Sequence, residues 1–141
     1  MSYKEYQSPS FLEAYKNAFV SCLDFDGRSR RAEYWKYILV YYFFIIVTFA
    51  ICFVINTIIS DADSICKGIL IVFFLAHILP NLSICARRLH DSGHSAKWLI
   101  VSCIPYIGAP FGLWVFFCLF KDSDEDENNW GESPKYYVEN E

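Results

Sequence analysis

The chain has 141 residues, of which 55% are hydrophobic and 20% charged, with a net charge of −4. No Lys, Arg, Asp or Glu occurs in 37–60, 68–86 or 98–120, and a bilayer crossing takes about 20 apolar residues rising about 1.5 Å each. This distribution excludes an ordinary soluble globule and a disordered chain, and a net negative charge with only small basic clusters argues against nucleic-acid binding.

In chain order, residues 1–24 form an N-terminal interfacial segment without a signal-peptide pattern. Ser10-Phe11-Leu12-Glu13 fits a capping box, in which serine and glutamate satisfy free backbone N–H groups. Phe11, Leu12, Tyr15, Ala18, Phe19, Cys22 and Leu23 then recur at helical spacing. The result is an amphipathic helix, too short and polar to span, that lies in the interface or packs on its own protein. Gly27 suits a turn, and Ser29 suits a cap for the next helix. Tyr34, Trp35, Tyr37, Tyr41 and Tyr42 crowd the start of that helix as an aromatic belt at headgroup level.

The membrane domain is read as 25–120, with spans at about 37–59, 66–85 and 98–120. An acidic loop, Ser60-Asp61-Ala62-Asp63-Ser64, joins the first two. The second span carries His77, Pro80 and Asn81. The third contains Pro105, Gly108 and Pro110, which can kink one helix or build a re-entrant hairpin. Either half alone is too short to cross, so one kinked span is favoured. Residues 121–141 form an acidic, mobile tail. Six Lys and Arg precede the first span and three lie in the loop at 87–97, against one at Lys67 and two in the tail. The positive-inside rule places the N-terminus and the 87–97 loop in the cytoplasm, and three spans then put the tail outside. The fold expectation is therefore all-α and polytopic: three transmembrane helices plus an amphipathic helix. The six cysteines are at least 14 residues apart and read as reduced and structural.

Three blocks stand in order at the edges of these stretches: Phe25-x-Gly27-Arg28-x-x-Arg31-x-Glu33-Tyr34-Trp35, Arg87-Arg88-Leu89-His90-Asp91-Ser92-Gly93, and Asn128-x-Trp130-Gly131-x-x-Pro134. Together with Ile104-Pro105-x-x-Gly108, they resemble a family of small bacterial inner-membrane proteins, domain of unknown function 805. The likeness covers roughly Ala18 to Pro134, although Ala96 and Lys97 stand where the family often has Gly-Trp. The resemblance implies a multi-pass protein of the bacterial plasma membrane with no established activity.

Two candidate sites emerge. Arg28, Arg31, Glu33, Arg87, Arg88, His90 and Asp91 share one membrane face. They can anchor to lipid phosphates, lock the bundle through charge-assisted bonds, or bind a small anion. His77 and Asn81 form an intramembrane polar pair, of a kind that often marks function in lipid. His90 and His94 have zinc-like spacing, but Gly93 interrupts the helix and further ligands are missing. No nucleotide, cofactor or hydrolase motif is present, so no cofactor is expected. The leading class is a non-enzymatic structural, interaction or regulatory membrane component. Its partners are the bilayer, anionic lipid headgroups, and further copies of itself or other membrane proteins. The alternatives are a small transporter or channel subunit using His77 and Asn81, and a lipid-headgroup enzyme or binder at the Arg/His/Asp face.

Overall fold

Two long helices dominate the computed structural model, which describes residues 3–59, 62–106 and 108–138. The elements run β1 (Tyr3–Glu5), α1 (Phe11–Val20), α2 (Arg31–Ile58), α3 (Asp63–Asp91), α4 (Lys97–Ser102), α5 (Gly108–Phe120) and β2 (Tyr136–Val138). Part of the acidic loop, Ser60 and Asp61, lies outside the described residues, as does Ile107 of the Pro/Gly cluster.

The capping box opens α1: Glu13 N–H donates to Ser10 Oγ (3.3 Å), and Ser10 N–H donates to Glu13 Oε2 (2.6 Å). Ala14 and Ala18 are fully buried against α2 and α3, because small side chains let the helix lie close. Leu12, Val20 and Leu23 face outward, each more than 70% exposed. Ser83 Oγ, on α3, donates to the carbonyls of Ser21 (2.7 Å) and Asp24 (2.8 Å), tying the end of α1 to the bundle.

The helices α2 and α3 pack antiparallel and are about 42 and 44 Å long at 1.5 Å per residue. Only 6% of the most apolar 18-residue window of α2 is buried. Phe43, Ile46 and Phe53 are each more than 60% exposed. A core helix of a soluble protein would hide these groups; here they cover the outside, as lipid requires. The buried apolar core is small and sits toward one end, around Tyr34, Tyr37, Ile84, Leu89, Val115 and Leu119. At the other end Cys52 and Cys66 face each other's backbone carbonyls across the two helices.

Three expectations are corrected. The stretch 98–120 is not one kinked helix but two, α4 and α5, packed against each other. A Cβ at Gly108 would lie 2.2 Å from the Ser102 carbonyl oxygen, so glycine permits the chain to double back there. The α4 and α5 helices would extend about 9 and 20 Å, short of the hydrocarbon thickness. The tail, secondly, lies at the same end as the N-terminus. β1 pairs antiparallel with β2, with Tyr3 opposite Val138 and Glu5 opposite Tyr136, so the molecule is not purely helical. Ser29, finally, does not cap α2: its Oγ donates to Glu33 Oε2 (2.8 Å), and Arg30 occupies the cap position without a side-chain bond.

Candidate functional site: a buried charged knot

Beyond the apolar stretch of α3, its last turn carries Arg87 to Asp91. Arg88 and Asp91 are both fully buried. Three residues apart on a helix, they share a face, and Arg88 Nη1 donates to Asp91 Oδ2 at 2.6 Å. Arg28, from the connector between α1 and α2, reaches the other carboxylate oxygen through Nε (3.2 Å) and Nη2 (3.1 Å). Ser123 Oγ donates to Oδ2 at 2.6 Å.

Both guanidiniums also donate to backbone carbonyls. Arg88 donates through Nε to Leu119 O (3.2 Å) and through Nη2 to Lys121 O. It thereby satisfies carbonyls at the C-terminal end of α5, where the helix dipole also favours a cation. Arg28 donates to the carbonyls of Asp124 (2.8 Å), Asp126 (3.0 Å) and Gly131 (2.8 Å), folding the acidic tail around itself. Asp124 N–H returns a bond to Asp91 O at 3.1 Å. Gly93 has φ +79°, and a Cβ there would meet the Asp124 carboxylate at 2.8 Å. Glycine therefore serves both the turn and the close approach.

Burial pushes the Asp91 carboxyl up from the ordinary carboxylate range, while the Ser123 hydroxyl and the Arg88 and Arg28 guanidiniums pull it down. With both oxygens engaged by cationic donors, it is held as a carboxylate at neutral pH.

His90 is fixed beside the knot. Ala96 N–H donates to its Nε2 (3.3 Å), so Nδ1 carries the proton and faces Gly27 O (3.4 Å). The ring stacks on Trp130 with centroids 4.4 Å apart and planes 8° from parallel. Asn128 Nδ2 donates to the His90 carbonyl at 3.0 Å, and Asn128 Oδ1 accepts from Trp130 N–H at 3.0 Å. Burial pushes the His90 imidazole below its ordinary value, against the pull of Gly27 O and Asp26.

The other candidates at this face go elsewhere. Arg31 is half exposed, 3.8 Å from Asp122. Glu33 accepts from Ser29. Arg87 is buried, with Nε and Nη2 unpartnered among the described residues. Within the bilayer stretch, His77 Nε2 accepts from Tyr15 OH (2.8 Å), and its Nδ1 donates to Phe73 O (2.7 Å). Phe19, Tyr41 and Phe73 rings crowd it. Asn81 Oδ1 accepts from Tyr37 OH at 3.1 Å, separately from His77.

Two motif blocks meet at the Asp91 carboxylate, and the third packs around them on Arg28 and His90. A family model described as protein of unknown function (DUF805) matches residues 22–132, which contain the first two blocks and the third as far as Glu132. The chain belongs to the DUF805 family. It is 30% identical over 133 residues to the inner membrane protein YhaI of Escherichia coli (strain K12), covering 89% of this chain and 98% of YhaI. It is 32% identical over 127 residues to the inner membrane protein YhaH of the same organism, covering 88% and 98%. No solved structure matches. The chain is a mostly helical protein of the bacterial inner membrane, with two helices long and apolar enough to cross it.

Sequence reasoning misses Ser123, Asn128, Trp130 and the carbonyls of the tail as partners of Asp91, His90 and Arg28. The third block is visible as a motif, and a hairpin at Gly108 would have returned it to the face of the other two.

Proposed function

We propose that the chain is a non-enzymatic structural or interaction component of the inner membrane, with its charged knot acting as a lock rather than a reaction centre. In this reading α2 and α3 cross the bilayer, and α4–α5 form a re-entrant hairpin that enters and leaves at the cytoplasmic face. The knot then clamps α3, the α1–α2 connector, the end of α5 and the tail together on that face.

The observation that carries the reading is saturation. Asp91 is fully buried, and its oxygens are taken by Arg28, Arg88 and Ser123. The carbonyls of Asp124, Asp126 and Gly131 take the rest of the Arg28 guanidinium, and those of Leu119 and Lys121 each accept from Arg88. A general base or nucleophile needs a free valence within reach of substrate, and none of the described cavities is lined by Asp91 or His90. Transport through His77 is disfavoured for the same reason, since both its nitrogens are engaged among aromatic rings.

Thermal melting of the purified protein in detergent tests the lock. Asp91→Asn leaves two buried guanidiniums uncompensated and is expected to cost about 3–5 kcal/mol. An Asp91 kept for chemistry, at stability's expense, predicts an unchanged or raised melting temperature on the same substitution.

A further inference from the structure

A cavity of about 230 Å³ lies at the N-terminal end of α2, and Arg30, Arg31, Ala32, Lys135, Glu5 and Asp122 line it. It has room for a tetrahedral oxyanion and waters, since one water takes about 30 Å³.

Arg30 is only 6% exposed. Its Nη1 donates to the Tyr6 carbonyl at 2.8 Å, but its buried Nη2 has no hydrogen-bond partner among the described residues. An unpaired buried donor on a charged group is costly, and native structures seldom keep one without a ligand or water. Arg30 is also the N-cap of the 28-residue α2 and makes no side-chain cap bond. The first turn of a long helix offers free N–H groups and the positive end of its dipole to an anion. The two carboxylates at the cavity do not neutralise Arg30. Lys135 holds both, at 2.8 Å from Asp122 and 3.5 Å from Glu5, and Arg31 lies 3.8 Å from Asp122. Trp35, in the aromatic belt, follows Arg31 by about one helical turn, which sets the cavity near headgroup depth.

We propose that this cavity binds a phosphate group, with the Arg30 guanidinium and the N-terminus of α2 donating to its oxygens and Arg31 and Lys135 flanking it. The phosphate belongs either to an anionic phospholipid headgroup or to a free phosphate ion; both present the same oxygens. A site of this kind would couple the terminal β1–β2 clasp to the membrane surface.

Two arms separate the sources. In one, the full chain in uncharged maltoside detergent is melted with inorganic phosphate against sodium chloride at matched ionic strength. In the other, it is melted in nanodiscs of phosphatidylcholine with and without phosphatidylglycerol, and native mass spectrometry counts retained phosphatidylglycerol. Stabilisation by phosphate alone assigns a free ion. Stabilisation by phosphatidylglycerol, with or without a response to phosphate, assigns a lipid headgroup. Arg30→Gln is expected to weaken the responding ligand about tenfold or more, as loss of a charged hydrogen bond does. Ala32→Glu places a carboxylate at the cavity in the first turn, where the dipole welcomes it. That variant is expected to melt no lower than wild type without ligand and to lose the response. Absence of both responses in wild type overturns the proposal, as does a well-folded Ala32→Glu that binds as wild type does.

Discussion

His90 shows how one neutral side chain can hold two segments. Its Nε2 accepts from Ala96 N–H, its ring stacks on Trp130, and its carbonyl takes Asn128. Protonation at Nε2 would break the first of these bonds and place a cation in a buried site. Burial lowers the folded-state pKa of His90 below its unfolded value, so its contribution is complete above about pH 6.5 and is lost as pH falls through the folded value. The melting temperature of wild type is expected to decline as pH drops below about 6.5, and His90→Asn to flatten that decline while lowering stability at pH 7.5. An equally steep decline in the variant would assign it to other groups. At this scale the sequence is half legible. Arg28, Arg88 and Asp91 stand in motif blocks, and the helical spacing of Arg88 and Asp91 is visible without coordinates. Ser123 and Asn128 carry no periodicity; only the return of the tail makes them partners.

The hairpin of α4 and α5 is the element that hydropathy and length misjudge. Length favours one crossing at 98–120, because neither half spans the hydrocarbon alone. The deciding contact is local and steric: the Ser102 carbonyl sits where a Cβ on Gly108 would be. Hydropathy cannot register a clash between two backbones. Gly108→Ala should therefore lower stability by about 1–3 kcal/mol through overpacking. Gly68, inside α3, has nothing within 4 Å of the place a Cβ would take, so Gly68→Ala should raise helix stability by up to about 1 kcal/mol. Paired melting curves check the contrast, and equal effects at the two glycines would remove the steric account of the hairpin. The capping box of α1 and the two long helices, by contrast, are readable from spacing and charge alone.

For the whole molecule, charge and polar bonding are concentrated at one end, apolar surface covers the middle, and the exposed Lys67–Asp63 pair marks the other end. Arg28, the last turn of α3, the tail and the β1–β2 pair all meet at that end. On the proposed topology this end faces the cytoplasm, in keeping with the positive residues before α2 and in 87–97. The uncharged stretches make the membrane legible, and the basic blocks make the face legible. The side of the tail is not legible, because its acidity says nothing about where Arg28 and Arg88 need acceptors. The central claim is that three separated blocks close one knot, so the C-terminus returns to the cytoplasmic face. A reporter fused to the C-terminus and read on both sides of the membrane measures this directly. Signal from the cytoplasm alone is the predicted result; signal from the periplasm would contradict the knot, the hairpin and the clasp together.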